Sequence, residues 1–562
     1  MLDAAVPRRS PLGLVTAAAA FLLLVAFSTN LSAGFWTVRA AVLLVIGAIG
    51  LPFTVLILRT PARPAAVAGL VFLGWAALST AVAEHPVVTL LGRFNQGTGL
   101  LFVAALVGCW ALGAVLPEGG RSAVEWGVIV GVLANCVVAV VQMLVDLSAL
   151  HLDPLDQRAR GALGNPVQLG AVAAGTFALI APRVARRARP WPWAAAGLLL
   201  GAALQLSGTR SALIVTVVVV VAAFFTQGWR PGAVLAGVLV AGLALGSLVA
   251  AVGSTASAGA TAAARAGEGS AGTSARIHTW RTALTAVGHR PLLGAGPGRF
   301  EEATSPLRTL AIARAEGPDR VFTDAHNLVV EYATTTGVPG AIALLAFVAL
   351  AALPGAGSRR AFALAVLAVG LVEPQSVSST PLAFLMLGAA LPVLEIPRRH
   401  WPTLAAASAL ATCAAAAGLA LIVGDWHLNQ ANLDFTVAEA RAADRWLSPY
   451  PDPASQLAKT YVLHKQAGPA EHWRLVAAQR DPAQAGLWSD LGDLELADGR
   501  SAEAEVHYRM ALARNPWSAQ ALNGMARAKI AGGDHAAAVP FLRRSLLAMP
   551  NQPTIIGLLT GP

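Results

Sequence analysis

The sequence predicts an all-α protein in which a polytopic membrane domain precedes a solenoid of helical repeats. Hydrophobic residues make up 56% of the 562 residues and charged residues only 12%, whereas soluble domains carry about 25% charged residues. Apolar runs close to the length that crosses a bilayer, about 17–25 residues, recur through the first three quarters of the chain. The last quarter is charged and contains regularly spaced prolines.

Thirteen apolar runs are candidate membrane spans, so we expect about 12–13 transmembrane helices. They cover residues 11–28, 39–58, 65–82, 98–116, 123–147, 166–181, 193–207, 211–226, 233–252, 327–353, 361–372, 381–394 and 403–423. Several runs are shorter than a straight crossing requires, which predicts tilted or broken helices. Arg8 and Arg9 precede the first run without a convincing cleavage site, so we expect an uncleaved first span.

Basic residues alternate between the predicted loops. With a cytoplasmic N-terminus, the inside loops hold Arg8, Arg9, Arg59, Arg63, Arg121, Arg183, Arg186, Arg187, Arg189, Arg230, Arg359, Arg360, Arg398 and Arg399. The short outside loops hold mainly Arg93, Arg158 and Arg160. Because this is the positive-inside bias, the net charge of +10 indicates membrane topology and not nucleic-acid binding. The same topology places the loop 253–325 and the C-terminal domain outside the cytoplasmic membrane.

Residues 448–562 follow a different period. Pro482, Pro516 and Pro550 are 34 residues apart (516 − 482 = 34 and 550 − 516 = 34), which is the tetratricopeptide period. Trp488 and Tyr508 stand at the positions where that repeat carries its large aromatic residues. We therefore expect a membrane domain at 1–424, a linker at 425–447 and a repeat domain at 448–562 that could bind a protein partner.

Two arginines are candidate anion-binding residues. Arg210 lies in a polar break, LQLSGTRSALI, between two apolar runs, where charge beside hydrocarbon is costly. Arg276 precedes Trp280 by four residues, so the two share one face of an amphipathic helix predicted at 274–287. Arg281 is an alternative on a different face. A guanidinium matches phosphate oxygens, but snorkelling at the membrane interface is the alternative explanation for each arginine.

His326 is the candidate general base, because the ordinary pKa of imidazole lies near neutral pH. It stands with Asn327 where a long polar segment meets the next apolar run, and Asp324 and Glu331 are near enough in sequence to orient it. A purely structural histidine is the alternative. Two cations and one base at an outer membrane face suit transfer of a group from a diphosphate donor to a hydroxyl. The cations would hold the diphosphate leaving group, and the base would deprotonate the hydroxyl.

No metal or other cofactor is expected. Cys109, Cys136 and Cys413 fall inside apolar runs without the spacing of a metal site or of a disulfide framework. No paired aspartates stand in a predicted outer loop, which favours a metal-independent transferase.

The sequence resembles the O-antigen ligase and O-antigen polymerase family of polytopic bacterial membrane proteins. The resemblance lies in SGTRSAL at 207–213, in Arg276 and Trp280 leading to PLLGAGPGRF, and in His326-Asn327 followed by nine residues and Gly337. GRFNQGTGLL at 92–101 and GNP at 164–166 resemble weaker motifs of the family. The similarity covers residues 70–400.

The resemblance implies a helical fold of the glycosyltransferase-C type and metal-independent, inverting transfer from a polyprenyl diphosphate-linked glycan donor. Arg210 and Arg276 would bind the diphosphate, with Arg93 as a weaker candidate, and His326 would activate the acceptor hydroxyl. The acceptor would be a glycan, a lipid or a protein, and membrane lipid would surround the spans. The repeat domain favours a polymerase, or a ligase for protein or another envelope polymer, over a lipid A-core ligase.

Two other classes compete with this interpretation. A transporter or flippase of lipid-linked sugars would place charges near the bilayer midplane, within its spans, whereas the predicted spans are nearly free of charge. A membrane-anchored scaffold for the repeats would not need the polar breaks at Arg210 and His326.

Overall fold

The computed structural model of the chain describes residues 10–185, 191–253, 271–320, 322–395 and 401–560. Within these ranges the regular secondary structure is helical, apart from one isolated bridge between Leu155 and Arg158. Seven arginines assigned to inside loops and the start of the predicted outer loop, 254–270, lie outside the described residues. These arginines are Arg8, Arg9, Arg186, Arg187, Arg189, Arg398 and Arg399.

The helices before the outer loop are α1 (Pro11–Val25), α2 (Thr37–Gly50), α3 (Phe53–Ile57), α4 (Arg63–Ala81), α5 (Pro86–Leu91), α6 (Leu100–Val115), α7 (Glu118–Leu144), α8 (Pro166–Ala185), α9 (Trp191–Ser207), α10 (Arg210–Gln227) and α11 (Trp229–Val252). The outer loop contains α12 (Ala271–His289), α13 (Phe300–Thr304) and α14 (Leu310–Glu316). The helices α15 (Leu328–Ala352), α16 (Gly357–Val369), α17 (Ser379–Ala389) and α18 (Trp401–Asp434) follow.

Eight helical segments in the described ranges are long and apolar enough to cross a membrane. They are Thr37–Ile57 and the segments of α4, α7, α8, α10, α11, α15 and α18. The other five predicted spans fall on the shorter helices α1, α6, α9, α16 and α17. For α9, α16 and α17 this agrees with apolar runs that are too short for a straight crossing. The predicted fold class, a helical protein with many membrane helices, is confirmed.

Small residues set the closest helix contacts in the membrane region. A Cβ atom on Gly50 of α2 would lie 1.9 Å from the carbonyl oxygen of Gly108 of α6, so no larger residue fits at this crossing. In lipid, where helices gain little from burying apolar surface, such close backbone contact is a main source of association.

Loops that the sequence assigns to the same face of the membrane contact one another. Arg183 and Arg359, both assigned to inside loops, bind the carboxylate of Glu125 at 2.6 and 2.9 Å. On the other face, Nε of Arg158 donates to the carbonyl oxygen of Ser207 at 2.6 Å. These contacts therefore agree with the predicted division of the loops between two faces, and this agreement does not depend on which face is outside.

The C-terminal region is a stack of antiparallel helix pairs. Its helices are α19 (Val437–Leu447), α20 (Pro451–Leu463), α21 (Ala467–Arg480), α22 (Ala485–Ala497), α23 (Ser501–Arg514), α24 (Ala519–Ala531), α25 (His535–Ala548) and α26 (Pro553–Thr560). Tyr508 of α23 is buried against Gly492 of α22 and Gly524 of α24, so one aromatic ring joins two successive repeats. Residues 425–447 are helical apart from 435–436, because α18 continues to Asp434 and α19 begins at Val437.

The repeat region packs directly on the outer loop. Arg299, which precedes α13, is 2% exposed and pairs with Asp481, which is 1% exposed and follows α21, at 2.9 Å. The indole nitrogen of Trp517 donates to the carbonyl oxygen of Arg308 at 3.1 Å. The outer loop and the repeats therefore lie on the same face of the membrane domain.

Candidate functional site

Three hydrogen bonds hold the backbone at Ala325 and His326. The indole Nε1 of Trp280 donates to the carbonyl oxygen of Ala325 at 2.8 Å, and the Ala325 amide donates to Glu331 at 2.8 Å. The His326 amide donates to Asp324 Oδ1 at 2.8 Å. His326 itself has φ +49°, the left-handed region that non-glycine residues occupy at an energetic cost. The surrounding contacts fix this conformation and thereby the direction of the imidazole.

The imidazole of His326 forms a pair with the side chain of Asp324. Its Nδ1 lies 2.7 Å from Asp324 Oδ1, which places a proton on Nδ1 and leaves Nε2 to accept one. Burial lowers the pKa of His326, but the hydrogen bond and the charge of Asp324 raise it by more, so the net pKa lies above its ordinary value. Asn327 caps α15 by accepting from the amides of Val329 and Val330.

Glu373 connects the two predicted arginine segments. Its Oε2 accepts from Arg276 Nη2 at 2.9 Å, and its Oε1 accepts from the hydroxyl of Ser211 at 3.1 Å. Both Arg276 and Glu373 are close enough to His326 to influence its ionisation, the arginine lowering its pKa and the glutamate raising it. Arg210, next to Ser211, is exposed at the first position of α10.

The structure thus brings the segments of Arg210, Arg276 and His326 together, and Glu373 joins them. The sequence-based analysis did not identify Glu373. The polar break VEPQS at 372–376, between two apolar runs, was the available signal.

The start of α10 is suited to bind an anion. The side chain of Thr209, at the N-cap position, makes no capping hydrogen bond to the helix. The first backbone N–H groups of a helix have no intrahelical acceptor, and the helix dipole favours negative charge at this end. Arg210 adds a guanidinium at the same point, so the helix terminus and the side chain both favour a bound anion there.

Gly337 creates the kink that seats the outer loop on α15. Its backbone, φ +75° and ψ 173°, is non-helical, a region that only glycine readily adopts. The kink frees the carbonyl oxygens of Thr334 and Thr335, which accept from the amides of Ala295 and Gly296 at 3.3 and 2.7 Å. The PLLGAGP segment therefore docks here, at the C-terminal end of α12, the helix that carries Arg276 and Trp280.

Two of the predicted supporting residues are not part of this group. Arg93 pairs with Glu301 and also contacts Asp481 at 3.5 Å, so its charge is engaged between the membrane domain and the repeats. Arg281 is exposed on α12 and does not contact the His326 group among the described residues. Sequence position could not reveal these pairings, because Arg93 and Asp481 are almost 400 residues apart.

A polar cavity of about 360 Å³ adjoins Asp324. Residues of both weaker sequence motifs line it, namely Asn95, Gln96, Thr98, Gly164 and Asn165. Gln96 also donates to the hydroxyl of Thr323 at 2.5 Å. The cavity therefore gives these motifs a common location beside the His326–Asp324 pair.

Comparisons with known proteins agree with the predicted organisation. Residues 194–345 match the family model described as O-antigen ligase, and residues 495–560 match the model described as tetratricopeptide repeat. No curated protein matches the chain. A solved structure, the APC/C hetero-tetramer Cut9–Hcn1, matches over 81% of this chain and 76% of that chain at 10% identity, with a TM-score of 0.24. This likeness is too weak to support an argument.

The matched segment 194–345 contains Arg210, Arg276, His326 and Gly337, so the resemblance stated from the sequence is confirmed. The chain is therefore a multi-pass helical membrane protein in which one segment matches the O-antigen ligase family and another matches the tetratricopeptide repeat, and the first match supports a membrane glycosyltransferase-like role in polysaccharide biosynthesis.

Proposed function

We propose that this protein transfers a glycan from a polyprenyl diphosphate donor to an acceptor hydroxyl at the outer face of a bacterial cytoplasmic membrane. One observation carries the proposal: Glu373 binds Arg276 and also Ser211, the neighbour of Arg210, close to the His326–Asp324 pair, so the three predicted segments meet at one place. The arginines supply charge for a diphosphate, and the histidine supplies a base directed by a carboxylate.

The transfer is a single displacement without a metal. Nε2 of His326 takes the proton of the acceptor hydroxyl, whose oxygen attacks the anomeric carbon of the donor glycan. The bond between that carbon and the phosphate oxygen breaks, and the polyprenyl diphosphate leaves with the electron pair. Arg210 and Arg276 hold the charge of the diphosphate, and the start of α10 adds its N–H groups. Attack opposite the leaving group inverts the anomeric configuration.

An apolar groove offers a path for the polyprenyl chain of the donor. It has a volume of about 930 Å³ and lies between α8, α10 and α16, with Val215, Val218 and Leu364 in its lining. Arg210 begins α10 and Glu373 follows α16, so the groove leads away from the arginines along the membrane helices. A lipid chain in the groove would leave its diphosphate at the arginines.

Reconstitution tests the proposal. The purified protein is placed in liposomes with a lipid diphosphate-linked glycan and candidate acceptors, and products are separated by size. We expect the wild type to transfer the glycan. Arg210→Ala and His326→Ala should each lose transfer while their membrane expression stays normal. Arg320→Ala, a change at an exposed outer-loop arginine, should transfer normally. A ladder of products would indicate a polymerase and a single conjugate a ligase. Full transfer by both Arg210→Ala and His326→Ala would remove the assignment.

Alkaline phosphatase fusions test the side of the membrane. A fusion after Asp425 should be active and one at Arg187 inactive, because phosphatase folds to an active form only outside the cytoplasm. The opposite pattern would place the outer loop and the repeats, which pair through Arg299 and Asp481, in the cytoplasm.

A further inference from the structure

The polar cavity beside Asp324 contains buried polar groups with no partner in the described part of the chain. Trp36 and Ser378 both line it, and the indole nitrogen of Trp36 and the hydroxyl of Ser378 are buried without a hydrogen bond to a described residue. Trp36 is 6% exposed and Ser378 is fully buried. Leaving a buried polar group unsatisfied costs about 1–3 kcal/mol, so native proteins rarely do so without a bound ligand or water.

The cavity also offers side-chain amides that are not engaged within the protein. Asn95 and Gln168 line it, and neither side chain forms a hydrogen bond to a described residue. Amides and hydroxyls can each donate and accept. Together with the rings of Phe35 and Trp36, this lining suits a ligand that has many neutral hydroxyl groups and apolar ring faces.

A second polar cleft continues from this cavity toward the repeats. It has a volume of about 460 Å³ and lies between the membrane domain and the first repeat helices, with Asn95, Asn432, Ser455 and Gln484 in its lining. Asn95 belongs to both spaces, so the two adjoin. We call the two together the inner cleft.

The charged residues that line the repeat part of the inner cleft are two basic and two acidic, so their charges sum to zero, and one of them, Asp452, has no ion pair among the described residues. Arg474 pairs with Asp490 at 3.1 Å, and the ammonium of Lys459 lies 4.9 Å from the centre of the Phe435 ring. The polar groups that remain are largely amides and hydroxyls. This pattern favours a neutral hydroxylated chain over a charged peptide.

The inner cleft and the arginine cluster involve different neighbours of His326. Asp324, the partner of the imidazole, lines the polar cavity, whereas Arg276 and Glu373 do not. A donor held by the arginines would leave the cavity available for a second substrate.

We infer that the inner cleft binds the acceptor as a neutral glycan chain, with the repeat domain holding its distal sugars and the polar cavity holding the sugars nearer its reacting end. The inference rests on the proposed function and adds to it a binding role for the repeats. It makes the tetratricopeptide region part of the substrate site.

Photo-crosslinking in cells of the source organism tests binding without requiring turnover. The photoreactive residue p-benzoylphenylalanine replaces Ser455 or Asn432 in the full chain, and adducts are stained for carbohydrate after irradiation. The matched control replaces Arg509, an exposed residue of α23 outside both spaces. The same positions are tested in a His326→Ala background, where binding continues but transfer stops.

We expect carbohydrate-positive adducts at Ser455 and Asn432 but not at Arg509. The adducts at the two cleft positions should persist in the His326→Ala background. Protein adducts without carbohydrate, equal labelling at Arg509, or no adduct at the two cleft positions would each overturn the inference. If the adducts form but the reconstituted wild type transfers nothing, the proposed function fails while the cleft stands as a glycan-binding site.

A kinetic measurement gives an independent test. Ser378→Ala removes only the unpartnered hydroxyl, so the acceptor KM should rise about three- to tenfold, the loss of one hydrogen bond. The donor KM and the melting temperature should not change. An unchanged acceptor KM, with normal turnover, would show that Ser378 does not contact the acceptor and would overturn the assignment of this cavity.

Discussion

Glu373 accepts a hydrogen bond from Arg276 at 2.9 Å while its second oxygen binds Ser211, the neighbour of Arg210. This single buried carboxylate therefore fixes the spacing of two arginine-bearing segments that are 66 residues apart (276 − 210 = 66). In the proposed reaction, its role is to position the guanidinium groups for the diphosphate.

Glu373→Ala should lower kcat/KM for the donor by about 10²-fold, because misplacing a charged group by an ångström costs about that much. Membrane expression should be normal. Glu84→Ala is the matched control, since Glu84 pairs with Arg290 at an exposed position, and it should transfer like the wild type. Equal activity of the two variants would show that Glu373 has no positioning role.

Transfer should depend on pH through His326. Asp324 holds the pKa of His326 above its ordinary value against the effect of burial. A general base must be unprotonated, so kcat should be full above that raised pKa and fall as the pH drops through it.

Asp324→Asn keeps an oxygen for the hydrogen bond but removes the charge, so the acidic limb of the pH profile should move to lower pH. The plateau rate should also fall, because the imidazole is held less firmly. Asp153→Asn changes a half-exposed aspartate that pairs with Arg160 and should leave the profile unchanged. An unmoved acidic limb in Asp324→Asn would contradict the role of the pair.

Asp481 should be required for docking of the repeats. Burial raises the pKa of Asp481, but Arg299 and Arg93 lower it by more, so the carboxylate stays ionised. Its stabilising effect is complete above the pKa of an unfolded aspartate and is lost only as the pH falls through the lowered value. Docking is therefore insensitive to pH near neutrality.

Asp481→Ala removes one of the two carboxylates that pair with buried Arg299, leaving Glu302, and should destabilise the docked state by about 1–3 kcal/mol. The measurement is the melting temperature in detergent together with protease cleavage between the two regions. Glu503→Ala removes an exposed partner of Arg500 and should cost only about 0–1 kcal/mol. Similar effects of both changes would mean that the buried network does not hold the repeats.

Gly337→Ala should disrupt the site through the backbone. A Cβ at this position would lie 2.1 Å from the carbonyl oxygen of Leu292, in addition to the strain of φ +75°. We expect a lower melting temperature and loss of transfer. Gly228→Ala shares the positive φ but meets nothing within 4 Å, so it should cost only about 1 kcal/mol. A milder effect at Gly337 than at Gly228 would contradict this explanation.

Much of the architecture could be predicted because it is encoded locally. Apolar runs near bilayer length predicted the membrane helices, and the 34-residue spacing of Pro482 and Pro516 predicted the repeats. Arg210 and His326 stood out because they interrupt or adjoin apolar runs, where polar residues are costly, and Arg276 stood out because it shares a predicted helix face with Trp280. Each of these signals lies within a few dozen residues, where hydropathy and periodicity act.

The partners of these residues were decided by tertiary structure alone. Glu373 meets Arg276, and Arg93 meets Glu301 instead of the candidate diphosphate site. A charge is neutralised by whichever opposite charge the fold brings near it. The spatial distance between two such residues cannot be read from their positions in a single sequence. The sequence by itself therefore determined which segments enter the membrane and which form repeats, while the folded chain decided which charges stay available to a substrate.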